Sequence, residues 1–161
     1  MNWLRNTDVA RIPQRNNQDC SIACLAMALG CTYEEVEEFE ALRLSTAAAL
    51  AFGISHKEIG TIRPLTAQET VSLLVRERLI PIHLITKEAA AKLCDACGTQ
   101  LLLADEVKNV CARRPGILTV QGSHELHAVY WTGYEIIDPA PGREQPRKWD
   151  DYEVLEAISI F

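Results

Sequence analysis

The chain lacks a run of apolar residues long enough to cross a bilayer, which takes about 18 or more. Its N-terminus, MNWLRNTDVARIPQRNNQDC, lacks the apolar core that drives export, so no signal peptide is expected. It also lacks an excess of positive charge. Against 16 Lys and Arg stand 22 Asp and Glu, for a net charge of −6, which argues against a broad nucleic-acid-binding surface. No GxxxxGK[ST] phosphate loop, internal repeat or linker rich in Gly, Pro and Ser interrupts it. Together these absences favour a single domain over residues 1–161, with no membrane insertion and no nucleic acid as partner, residing in the cytoplasm.

What is present is a globular composition, 48% hydrophobic, and six cysteines at positions 20, 24, 31, 94, 97 and 111. Without export a disulfide framework is not expected, and the thiols should be reduced. Cys94 and Cys97 form a CxxC, with Cys111 fourteen residues later. A structural zinc site usually needs a second such pair, and none follows. Ordinary helix packing is the better reading of these three, and no metal or cofactor is expected.

Residues 19–29 (DCSIACLAMAL) read as a buried helix closed by Gly30. Thr32 and Glu35 form a T-x-x-E capping box, so a second helix should start at Tyr33 and reach about Leu42 with a solvated acidic face. Residues 45–52 add a helical turn or two, and 54–65 read as loop. Thr66 and Glu69 announce another helix, which Pro81 stops, and PIHLI follows as a short strand. Residues 86–97 look helical, and LLLA at 101–104 reads as either a strand or a helical turn. After Pro115 the pattern becomes β-rich: ILTVQ (117–121), HAVYW (127–131), YEIID (134–138) and a final AISIF. Thr132–Gly133 suggests a tight hairpin. Helices followed by an antiparallel sheet make an α+β fold.

Cys20 stands out because it sits in the first turn of the apolar helix. A sulfur there feels the positive end of the helix dipole, which favours thiolate, whereas Cys24 lies deeper and should only pack. A cysteine nucleophile needs a base. His56 falls in a polar loop and His83 in the PIHLI strand. His124 and His127 both precede or open the HAVYW strand, and His127 is preferred because the strand fixes its direction. Asp138 ends the next strand. With a tight turn at 132–133 it lies across from His127, close enough to hold one tautomer of the imidazole. A developing oxyanion would find the Cys20 backbone N–H and a side-chain amide, with Gln14 and Gln18 both available.

The segments IPQRNNQDCSIACLAMALG and HAVYWTGYEIIDPA resemble the signature of papain-like cysteine peptidase domains that cleave double-glycine leader peptides in bacteriocin exporters. The similarity covers residues 12–30 and 117–140, with Ser21 standing where that family usually has glycine. It implies a papain-like fold standing alone, with Gln14 as oxyanion donor, Cys20 as nucleophile, His127 as base and Asp138 as its orienter. It also implies a peptide or protein substrate. The same constellation serves a glutamine deamidase or a transglutaminase-like acyl transferase. A reading of another class is a non-catalytic interaction domain that uses the acidic helix and the middle segment as a surface.

Overall fold

The computed structural model describes residues 9–39, 65–87, 89, 102–122 and 125–161. Helix α1 spans Cys20–Leu29, residues 33–39 form α2, α3 spans Ala67–Arg76 and α4 spans Ala104–Cys111. Strands β1 (Pro81–Ile85), β2 (Gly116–Gln121), β3 (Leu126–Trp131), β4 (Ile136–Ile137) and β5 (Val154–Ile160) form one antiparallel sheet. Its order is β1-β5-β2-β3-β4, so the fold is α+β as expected. Among the described residues no helix is long and apolar enough to cross a membrane.

The local signals act through short-range satisfaction of backbone groups. Gly30 ends α1 in the left-handed region at φ 64°, and its N–H returns to the carbonyls of Ala26 and Met27. In the Thr66–Glu69 box, the Thr66 hydroxyl accepts from the Glu69 N–H and the Glu69 carboxylate from the Thr66 N–H. Thr32 and Glu35 make the same reciprocal pair ahead of α2. The expected continuation of α2 to Leu42, the turns at 45–52 and most of the 86–97 helix, with Cys94 and Cys97, lie outside the described residues.

Two apolar layers sandwich the sheet. Because side chains alternate along a strand, Ile117, Tyr130, Ile137 and Ile158 face one side, where they pack with α1, α2 and α3. Leu118, Val129, Trp131, Ile136 and Ala157 face the other, where they pack with Val107 and Cys111 of α4 and with Trp149. Nine of the ten residues of α1 are buried. Its alanines at 23 and 26 are fully covered, which lets the helix axis come close to the sheet.

One expectation is corrected, and one element is new. The hairpin loop is four residues rather than two, since Trp131 pairs with Ile136 and Tyr130 with Ile137. Thr132 is the cause. Its hydroxyl takes the N–H groups of Tyr134 and Glu135 in place of its own carbonyl, and its N–H reaches the Glu135 carbonyl, so this wider loop is the one held closed. Gly133, at φ 103°, sits in that turn and its carbonyl accepts from Arg113. YEIID therefore yields a strand of two residues. The new element lies within 102–111. Leu102 makes an isolated parallel bridge with Thr86, and a helix unforeseen from the sequence begins at Ala104. Asp105 and Glu106 sit in its first turn, where the helix dipole favours them, and it buries Val107 and Cys111 one turn apart.

Candidate active site

The site forms at an open edge of the sheet. β3 alternates its backbone N–H groups between two neighbours, and those of Thr132, Tyr130 and Ala128 point toward β4. β4 stops at Ile137, and the chain turns away at Asp138–Pro139. The Ala128 N–H thus has no strand carbonyl to meet. It donates instead to the sulfur of Cys20, at 3.3 Å. α1 lies across one face of the sheet and delivers its first residue to this gap.

His127 projects from the opposite face but sits at the same edge. Its Nε2 bonds the Asp138 Oδ1 at 2.8 Å, which leaves Nδ1 as the nitrogen able to serve the Cys20 sulfur, a group close enough to favour the protonated ring. The hairpin register explains the Asp138 contact. With 131 opposite 136 and 130 opposite 137, residue 129 faces 138. His127 is therefore a diagonal, same-face neighbour of Asp138 rather than its direct partner as expected. Diagonal neighbours lie about 7–8 Å apart, within reach of an imidazole and a carboxylate.

Electrostatics couples the three groups. Burial alone would lower the His127 pKa, but hydrogen bonds with Asp138 and Cys20, and the attraction of both groups, push it up to about 9. Burial would raise that of Asp138. Bonds from His127, the Tyr152 hydroxyl and the Ala140 N–H outweigh this and hold the carboxyl below its ordinary range. Asp138 is 1% exposed and Cys20 6%. Cys24, one turn deeper, has its thiol pushed well up, first by burial and then by the charges of Cys20 and Asp138, and is a packing residue. The first turn of α1 carries no side-chain cap, so its leading amide groups stay available to an anion.

Asp19 explains that missing cap. Its fully buried carboxylate turns away from the helix and organises the preceding loop. It accepts from the N–H groups of Arg15 and Asn16, from the Asn16 amide at 3.1 Å, and from the Tyr33 hydroxyl. Arg15 lies 4.0 Å above the Tyr33 ring and pairs with Glu34, which fastens the loop to α2. Gln14 belongs to this loop. Its N–H bonds the Pro139 carbonyl at 3.0 Å, beside Asp138, and its Nε2 donates to the Asn16 carbonyl at 3.0 Å. Its Oε1 is buried without a partner. Arg11 completes the link between the two ends of the chain by donating to the carbonyls of Asp138, Pro139 and Ala140 at 2.8, 3.0 and 2.7 Å.

The structure thus bonds His127 to Asp138, sets the Cys20 sulfur on the backbone N–H of the residue next to His127, and places Gln14 on the adjoining loop. Gln18 is exposed. His83 lies on β1, 3.6 Å from Glu156. His56 and His124 lie outside the described residues. Ser21, in place of the glycine, accepts from the Leu65 N–H at 2.8 Å and so ties α1 to the segment before α3. Cys111 is buried in the layer under α4, and burial raises its pKa to about 11. Among the described residues no group of three His, Cys, Asp or Glu is placed to hold a metal ion.

Sequence reading alone did not give Asp19, Tyr33, Arg11 or Tyr152 a part in the site. Asp19 left one usable signal, a carboxylate abutting a wholly apolar helix, which must be buried with partners. The others bond across intervals with no periodic pattern. No protein-family model, curated protein or solved structure matches this chain.

Proposed function

We propose that this chain is a cysteine peptidase of papain-like architecture that hydrolyses a peptide amide through an acyl-enzyme. The observation that carries the reading is the convergence of the Cys20 sulfur, bonded to the Ala128 N–H, with the adjacent His127, whose Nε2 is held by a buried Asp138. A sulfur at a helix N-terminus, an imidazole at a strand edge and a carboxylate behind it are the parts that thiolate acyl transfer requires.

The steps follow from the geometry. His127 takes the Cys20 proton, and the thiolate attacks the amide carbonyl carbon. The new oxyanion is received by the Cys20 backbone N–H and the second N–H of the Gln14 amide. The imidazolium gives its proton to the leaving amine as the C–N bond breaks, which leaves a thioester on Cys20. His127 then takes a proton from water as the water attacks the thioester, and the carboxylic acid departs while the sulfur is restored. The chemistry requires reduced thiols, in keeping with a cytoplasmic setting, and Cys20 is free. The peptide nature of the substrate rests on the resemblance in residues 12–30 and 117–140.

The test is incubation of the full chain with double-glycine leader peptides and glutamine-containing peptides, read by mass spectrometry. Cleavage into two fragments, absent with Cys20→Ala, is the expected result. A substrate left whole but about one mass unit heavier, as amide-to-acid conversion requires, would make the chain a deamidase. Coupling to an added amine would make it an acyl transferase. Unchanged masses throughout would leave a binding domain.

A further inference from the structure

The carboxylate of Asp138 is shared unequally. Oδ1 accepts from His127 Nε2 at 2.8 Å and from the Ala140 N–H at 2.9 Å. Oδ2 accepts a 2.7 Å hydrogen bond from the phenol of Tyr152. Arg143 stands behind this bond, its Nε 3.8 Å from Oδ2, near enough to the phenol to counter part of the rise in its pKa. Tyr152 is fixed by its backbone, whose N–H reaches the Trp149 carbonyl at 3.1 Å, and by packing against the layer that contains Trp149 and Val129.

We propose that Tyr152 is a positioning residue for the Cys20–His127–Asp138 relay, and that its hydroxyl draws the carboxylate charge toward Oδ2 and so weakens the hold of Oδ1 on the His127 Nε2 proton. The inference rests on the peptidase reading. A carboxylate spreads one negative charge over two oxygens, so a strong donor on one makes the other a poorer acceptor. The imidazolium releases its other proton, the one on Nδ1, to the leaving amine, and an Oδ1 that holds Nε2–H too firmly makes the ring more basic and so Nδ1–H a poorer general acid. The phenol suits this part because it keeps its own proton. Burial, followed by the adjacent Asp138, raises its pKa to about 12.

The groups that face the His127–Asp138 pair are Cys20 and Cys24 from α1, and Tyr152 and Arg143 from the segment after β4. Arg11 engages the Asp138 backbone carbonyl. Of these, Tyr152 and Arg143 address Oδ2. With the phenolic oxygen gone, the Ala140 N–H still holds Oδ1 in place, so the change falls on charge distribution.

The experiment is NMR of the His127 ring in the full chain, comparing wild type, Tyr152→Phe and a control, Tyr134→Phe, whose ring is 66% exposed. In Tyr152→Phe the Nε2–H resonance should move downfield, and the imidazole titration midpoint should rise by on the order of half a unit. Peptide turnover should fall several-fold with KM unchanged. Arg143→Gln, at a side chain 44% exposed, should move both NMR readings the same way by less, and it serves if the tyrosine variant fails to fold. A resonance and midpoint that stay put, or move the other way, overturn the proposal. The ring signals read the hydrogen bond whether or not peptides are cut. An unreactive Cys20 in wild type would end the peptidase reading alone, whereas unmoved signals in an active enzyme would end this inference alone.

Discussion

The sulfur of Cys20 accepts a hydrogen bond from the backbone N–H of Ala128, across 108 residues of sequence. That bond exists because β4 is too short to occupy the edge of β3 beside Ala128. The same shortness frees Asp138 from the ladder so that its side chain reaches back to His127. One truncated strand therefore frees both the N–H that holds the Cys20 sulfur and the side chain that holds His127, the two groups proposed as nucleophile and orienter.

Replacing Asp138 with asparagine tests the orienter. The amide keeps the volume and the bond to the Ala140 N–H, but it cannot accept from Nε2–H and from Tyr152 while carrying the charge that holds the imidazolium. Turnover should drop by roughly 10⁴-fold with the fold retained, as in other sites where the imidazole loses its working tautomer. Circular dichroism with steady-state rates reads both. Full activity would remove Asp138 from the site.

A second prediction concerns pH. The His127 pKa is raised from 6.5 to about 9 in the folded state, so its protonated form adds stability that is complete below about 6.5 and lost as pH climbs to about 9. The Asp138 pKa is lowered from 3.8, so its contribution is present above 3.8 and lost on acidification through the lower, folded value. Melting temperature against pH should therefore fall between 6.5 and 9 in wild type by more than in His127→Gln. Parallel curves would contradict the coupling.

Asp19 makes a prediction about stability. Asp19→Ala removes the partner of the part-buried N–H groups of Arg15 and Asn16 and of the buried Tyr33 hydroxyl. The loss should be about 3–5 kcal/mol by denaturant unfolding, because several donors lose their partner at once. Tyr33→Phe, which removes one donor, should cost about 1–2 kcal/mol. If Asp19→Ala costs no more than Tyr33→Phe, the loop is held by something other than this carboxylate.

The parts of this arrangement that the sequence disclosed are those whose partners lie within four residues or whose chemistry is tied to residue type. Gly30, Thr32–Glu35 and Thr66–Glu69 satisfy backbone groups in their own turn, so they can be read directly. Cys20 is marked by its place at a helix start, and His127 by its place at a strand start. The hairpin register was not legible because the Thr132 hydroxyl, rather than Gly133 alone, decides the loop length. α4 was hidden behind LLLA, whose apolar run carries no helical period of its own. Tyr152 lies 14 residues from Asp138, and Arg11 lies 127 away, so neither contact leaves a spacing to recognise.

Gln14→Ala should lower turnover by roughly 10²–10³-fold, the usual loss for one oxyanion donor. One Gln14 N–H is spent on the Asn16 carbonyl, and the second is the one assigned to the oxyanion. Single-turnover acylation rates check this. A negligible change would leave the oxyanion to backbone amides of α1.

The central claim is that Cys20 and His127 act as a thiolate and an imidazolium in one pocket. Its most direct test is the rate of Cys20 alkylation by iodoacetamide as a function of pH, in wild type and in His127→Ala, with each cysteine followed by peptide mapping. Wild-type Cys20 should react already at neutral pH, far faster than the other five cysteines, and that advantage should vanish in His127→Ala. A Cys20 that reacts no faster than the other five cysteines, or whose rate is indifferent to His127, would contradict it.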